Sequence, residues 1–219
     1  MPKKRSYHHP DLRQALLDGA VRLIKEEGMR EFSLRKLAKE VGVSHAAPYR
    51  HFENKEAILA TLMLEGHKRL RTSLLDAGAR RPGKAIDKLM AQGRAYLEFA
   101  RKNPEYLSVM FSKEGMAAAM SVGEKLGGHQ EDYDSFGVVE GTVKECQAEG
   151  SMDPRADAAA LALLAWAEVH GLALLRNDGL IAGMSEMRGG KESSTLDAIF
   201  AIMRARSKVW KAYVYTGVR

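Results

Sequence analysis

Between Ser33 and Lys55 the chain reads SLRKLAKEVGVSHAAPYRHFENK, and the side chains gathered there suit the binding of a nucleic acid better than catalysis. His45 can donate from a ring nitrogen to a purine N7 or O6. Ala46 and Ala47 offer methyl groups that fit the C5-methyl of thymine, and tight helix packing is the other reading of these two residues. With Tyr49 and Arg50 they make an outward set that is small, polar or cationic, a surface that fits a major groove. Catalytic constellations are missing by comparison. The sequence has no phosphate-cradling glycine loop, no paired carboxylates and no ligand set with metal spacing. His8 and His9 are adjacent in a polar tail, and Gly127 and Gly128 follow no strand pattern. The expectation is a protein that is not an enzyme and uses no cofactor and no metal.

These side chains need a rigid platform, and the local pattern supplies one. Ser33 is placed to cap a helix in which Leu34, Leu37, Ala38 and Val41 recur on one face while Arg35, Lys36 and Lys39 take the other. Gly42 ends that helix by entering the left-handed region, Val43 packs inward, and Ser44 caps a second short helix expected from about His45 to His51. Pro48 then falls in its first turn, where a missing backbone donor does least harm. Phe52 reads as core, and Asn54 caps a further long helix. Helix, fixed turn and helix in this order make a helix-turn-helix.

From about Leu12 to Leu62, and most specifically in LRKLAKEVGVSHAAPYRHFENKEAIL, the chain resembles the N-terminal domain of the TetR family of bacterial transcription regulators. The glycine turn, the Tyr-x-His-Phe exit and the Asn-Lys-Glu opening to the next helix follow the family's order. Pro48 departs from it, standing where the family usually has an aliphatic residue. The resemblance implies that Tyr49, His51 and Lys55 contact phosphates, joined by Ser33, Arg35, Ser44 and the first amides of the long helix. For Tyr49 and His51 a packing role at the corner is the competing reading. A second stretch, WAEVHGL at Trp166 to Leu172, is similar to a Trp-His-Gly signature in the ligand-binding half of one TetR subgroup.

Charge points the same way. Up to Leu70 there are 14 Lys and Arg against 9 Asp and Glu, and beyond it 20 against 19, so nearly all of the net +6 sits at one end. A basic module joined to a neutral one suits phosphate binding at the basic end, while a merely solvated basic face is the alternative. Lys3, Lys4 and Arg5 read as a flexible basic arm able to follow the backbone or a minor groove, or as a disordered tail. A chain of 219 residues with 45% hydrophobic content can bury one small and one medium core. The polar opening MPKKRSYHHPD lacks the apolar stretch of a secretory signal, and the single Cys146 cannot form an intrachain disulfide, which together suggest the cytoplasm. Ala158 to Leu175 is the one run that resembles a membrane span. It contains Glu168 and His170 and is slightly short of the roughly 20 residues a bilayer requires, so a buried helix and no membrane association are expected.

The expected fold is all-α. A first helix runs from Pro10 to Gly28 with Leu12, Leu16, Ala20, Leu23 and Ile24 inward, and the long helix from Asn54 reaches roughly Ala79. Further helices follow at about Lys84–Lys102, Pro104–Phe111, Gln130–Glu149, Pro154–Arg176 and Ser194–Tyr215, with loops at Ser112–His129 and Asn177–Ser193. The division is a basic arm at 1–9, a helix-turn-helix DNA-binding domain at 10–56, and a larger ligand-binding and dimerisation domain at 57–219. The helix through Trp166 is apolar on nearly every face and must be covered on all sides. An identical helix of a second chain, with Gly171 allowing close approach, would give a homodimer, which the family resemblance also implies. Tyr96, Phe99, Tyr106, Met110, Phe111, Met116, Met120, Phe136 and Trp166 could line a pocket for a small, largely apolar effector, or be core. Glu140 and Glu168 could pair with a cationic ligand or with His170, or point to solvent. Trp166 and His170 share a helix face and read as a core pair. The whole suggests a repressor that leaves double-stranded operator DNA when a small-molecule effector binds. A constitutive helix-turn-helix DNA binder, or an activator, is the alternative.

Overall fold

Local capping explains where most helices begin. In the computed structural model, which describes residues 11–126 and 133–213, every regular element is helical. Asp11 accepts from the Gln14 amide at 3.0 Å and opens α1 (Leu12–Glu27), and Ser33 accepts from the Lys36 amide at 3.3 Å to open α2 (Leu34–Val41). Asn54 accepts from the Ala57 amide at 2.8 Å to start α3 (Lys55–Ala79). Then come α4 (Ala85–Lys102), α5 (Pro104–Met110), α6 (Lys113–Leu126), α7 (Ser135–Ala148), α8 (Ala158–Asn177), α9 (Leu180–Met187) and α10 (Glu192–Tyr213).

The chain forms two compact units. Residues 1–67 and 103–129 make the first, and 68–102 with 130–219 the second, so α3 contributes residues to both. In the first unit α1 and α2 approach closely because Gly19 carries no side chain. A Cβ there would stand 2.7 Å from Val41 Cγ2 and 3.0 Å from Leu37 Cδ1. Leu16, Ala20, Leu37 and Ala38 are fully buried at this contact, and Leu12, expected inward, is only half-buried. Arg22 to Glu40 and Lys36 to Glu27 form ion pairs of 3.1 and 2.7 Å across its rim. In the second unit α4, α7 and α8 pack on one another, with α9 and α10 added against α8 and α4. Arg176 of α8 holds Glu98 of α4 at 2.8 Å and Glu192 of α10 at 2.5 Å. That partnership holds the Glu98 carboxyl below its usual range.

Four expectations are corrected. The segment expected to be a loop from Ser112 contains the helix α6, whose first turn is capped by Ser112 Oγ accepting from the Gly115 amide at 2.8 Å. Helix α9 interrupts the second expected loop, and α10 begins two residues earlier than Ser194. Helix α8 starts at Ala158 and not at Pro154. Asp153 is engaged by Arg155, the Gln147 amide holds the carbonyls of Asp153 and Ala156 at 2.8 Å, and Asp157 then caps the helix. At 20 residues, α8 is also long and apolar enough to cross a membrane by length and composition. The described part of α7 opens at Ser135 with Asp134 as its cap. Residues 1–9 and Pro10, the first residues of the helix expected from Gln130, and Tyr215 lie outside the described residues.

Candidate functional site

The corner from Gly42 to Asn54 is set by three local facts. Gly42 adopts φ 75°, ψ 29°, which a side chain would strain, and the Gly42 and Val43 amides close α2 on the carbonyls of Lys39 and Ala38. Pro48 has no amide proton for the Ser44 carbonyl. That carbonyl accepts from Ala47 at 2.9 Å instead, and Arg50 and His51 continue with the same three-residue spacing on Ala47 and Pro48. The helix expected from His45 to His51 is therefore a turn followed by a short 3-10 helix at Pro48–Arg50. Pro48 and Phe52 are buried beneath it, and the Arg13 guanidinium lies 5.2 Å from the Phe52 ring centre.

On the outer side His45, Ala46, Arg50 and His51 are exposed, Ala47 is half-buried, and Tyr49 is 58% exposed. Tyr49 and His51 are therefore not packed into the corner. Ser44 and Arg35 are exposed close by in the sequence. Among the described residues, Arg35, Lys39 and Arg50 form no ion pair, whereas Lys36 is held by Glu27 and Glu31, which raise its pKa. Ser33 Oγ is engaged as an acceptor by the Lys36 amide, so only its hydroxyl proton could reach a phosphate. Lys55 departs from a simple phosphate contact. Its ammonium donates to the Met29 carbonyl at 3.1 Å and lies 5.8 Å from the Phe32 ring centre, tying the start of α3 to the loop after α1. Sequence reasoning missed this tie because its partners are 26 residues apart in the chain.

The expected ligand residues divide between the two units. Tyr106, Met110 and Phe111 belong to the first. There Met110 and Tyr106 pack over Gly66, where a Cβ would meet Met110 Sδ at 2.6 Å, and Phe111 meets the His67 ring edge-on at 6.0 Å. Met116 and Met120 of α6 face outward, 49% and 82% exposed. In the second unit Tyr96 and Trp166 line an apolar cavity of ≈ 30 Å³, with Leu74, Leu89, Val139, Val169 and Phe200 among its other walls. Phe136 is half-buried against Trp166, ring centres 5.9 Å apart, while Phe99 is buried elsewhere in the core. Tyr96 shares a 2.7 Å hydrogen bond with His170 Nδ1. Burial lowers the His170 pKa and raises that of Tyr96, favouring the uncharged form of each. Glu140 pairs with Lys144 at 2.6 Å, and Glu168 pairs with Arg206. Among the described residues no group of His, Cys, Asp and Glu is placed to hold a metal ion.

Comparison with known proteins identifies this arrangement. Residues 16–62 match the family described as bacterial regulatory proteins, tetR family, and residues 89–202 match the tetracyclin repressor-like C-terminal domain. The chain belongs to the TetR family. A solved structure of a protein with unknown function from Rhodococcus sp. RHA1 is 30% identical, with TM-score 0.69, covering 92% of this chain and 98% of that one. The fatty acid degradation regulator FadR from Bacillus halodurans shares the fold at 15% identity, with TM-score 0.63 and coverage of 94% and 97%. The nucleoid occlusion factor SlmA of Haemophilus ducreyi is 34% identical over 105 residues, 48% of this chain and 50% of that protein. The chain thus spans about half the length of the curated relatives it matches. In TetR terms the first unit holds the helix-turn-helix match and the second most of the C-terminal match.

Proposed function

We propose that this protein is a sequence-specific DNA-binding transcriptional regulator of the cytoplasm, a homodimeric repressor that leaves its operator when a small, largely apolar effector binds. The observation that carries the reading is the corner above. His45, Ala46, Tyr49, Arg50 and His51 are exposed together on a short segment whose underside is pinned by Pro48, Phe52 and the Gly42 turn. His45, Ala46 and Ala47 read base edges. Tyr49, Arg50, His51, Lys55, Ser33, Arg35 and Ser44 hold phosphates and set register. Residues 10–56 do the reading, and residues 57–219 bind effector and partner.

Dimerisation is supported by the surface of α8. Leu163, Leu164, Leu174 and Leu175 are 45–60% exposed, and Leu180, Met184, Met187 and Ile202 extend the apolar surface onto α9 and α10. Gly171 lies on the same helix, and among the described residues no atom beyond its own stretch of helix stands within 4 Å of where its Cβ would be. A second copy laid over this face would bury it and present two corners to a pseudo-palindromic site. Helix α3 is the element suited to couple effector to DNA, because it carries Lys55 at one end and the cavity residue Leu74 near the other.

The alternative, constitutive DNA binding without an effector, is favoured by the size of the cavity. Its ≈ 30 Å³ falls far below the roughly 300–1,000 Å³ of a drug-sized ligand site. Footprinting on DNA upstream of its own and neighbouring coding regions tests the main reading. A protected inverted repeat that is lost with Arg50→Ala supports it, and binding that ignores sequence refutes it.

A further inference from the structure

One buried amide at the cavity wall has an acceptor that nothing among the described residues answers. Gln92 of α4 is 1% exposed and lines the cavity. Its Nε2 donates to Thr142 Oγ1 at 3.0 Å, and that hydroxyl donates onward to the Val138 carbonyl at 3.1 Å. With the hydroxyl proton on the Val138 carbonyl, the amide nitrogen is the end that faces Thr142, and Oε1 is the other end. Oε1 is buried with no hydrogen-bond partner among the described residues. Buried polar atoms are nearly always paired, so such an atom beside a cavity marks a place where something else donates.

The rest of the wall narrows what that is. It is built of aliphatic, aromatic and methionine side chains, and no lysine, arginine or histidine is among its residues. Of the other polar groups of the lining residues, the Tyr96 hydroxyl is engaged with His170, and Trp166 carries a neutral indole N–H. A carboxylate or phosphate entering the cavity would find no cation and would face the Gln92 oxygen. Resting on the reading of this cavity as the effector site, we infer that the effector is a neutral, apolar molecule carrying one hydrogen-bond donor, a hydroxyl or an N–H, which it places on Gln92 Oε1. The resting cavity holds only the donor end. The flexible side chains of Met90 and Met203 line it and can move aside to admit the apolar remainder.

Calorimetric titration of the full chain with 4-butylphenol, 4-butylanisole and 4-butylbenzoate tests the inference, since the three probes share an apolar body and differ in donor and charge. The phenol is expected to bind at least tenfold more tightly than the anisole and the benzoate. In Gln92→Leu, and in Gln92→Met should the first variant fold poorly, the phenol-to-anisole ratio should fall to near one. Equal binding of phenol and anisole by the unaltered protein, a phenol preference that survives in a folded variant, or tightest binding of the benzoate would each overturn the donor inference while leaving the cavity as an effector site. Failure of all three probes to bind up to their solubility would overturn the inference and the effector-site reading together.

Discussion

Replacing Lys55 with Met keeps most of the apolar stem and removes the ammonium, which separates the contacts the structure shows for this residue from the phosphate role proposed for it. Inside the first unit the ammonium donates to the Met29 carbonyl at 3.1 Å and sits 5.8 Å from the Phe32 ring centre. A hydrogen bond from a charged group is worth about 1.5–3 kcal/mol and a solvent-accessible cation–π contact about 0.5–1 kcal/mol. Lys55 is half-buried, so water can replace part of both. The lower end applies, a destabilisation of about 1.5–2 kcal/mol, seen as a lower denaturant midpoint at an unchanged slope. If the same ammonium also neutralises a phosphate, the slope of log affinity against log salt should become shallower by about 0.9 for each Lys55 lost, roughly 1.8 for a dimer. Titrating operator DNA by fluorescence anisotropy at several salt concentrations reads that slope. A variant that is less stable but keeps the full slope would show that Lys55 only braces the corner, and the phosphate role would be withdrawn.

Three further outcomes are expected. His45→Ala should cost about 1–3 kcal/mol at one base-pair position of each half-site and relax preference there, and uniform weakening over all sequences in a binding-site selection would place His45 on the backbone instead. Gly171→Leu meets open space among the described residues of the single chain, so it should fold normally. Against a second copy it should cost about 1–3 kcal/mol of dimer stability by overpacking, and sedimentation showing an unchanged dimer at low concentration would remove Gly171 from the interface. His170 is held below its ordinary value of 6.5 by burial, so the unfolded chain takes up its proton first as pH falls. The stability it contributes is complete above about 6.5 and is lost as pH drops from there through the lower folded value. Chemical denaturation between pH 7.5 and 5.5 should show this loss in the native protein and a smaller one in His170→Gln, and identical profiles would refute it.

By itself the sequence determined the helical architecture, the turn and the caps, because those depend on neighbours a few residues away. Ser33, Asn54 and Gly42 act on amides and carbonyls within one helical turn, so their roles could be read before any packing was known. Pro48 shows the limit even of local reasoning. Its missing donor was recognised, yet that loss turned the expected helix into a 3-10 turn by handing the Ser44 carbonyl to Ala47. Helix α6 was missed because the glycine, methionine and serine content of Ser112–His129 suggested a loop, while the capping by Ser112 and the high helix propensity of alanine and methionine favour a helix. Only the tertiary structure decided which side chains share a site. It put Met110 and Phe111 in one unit and Tyr96 and Trp166 in the other, and it engaged the Lys55 ammonium with a carbonyl 26 residues away. It joined Tyr96 to His170 across 74 residues and left Gln92 Oε1, on a cavity-lining residue, without a donor among the described residues. Such contacts depend on how helices far apart in sequence pack together, and spacing along a single helix shows which face a residue occupies without showing what that face will meet.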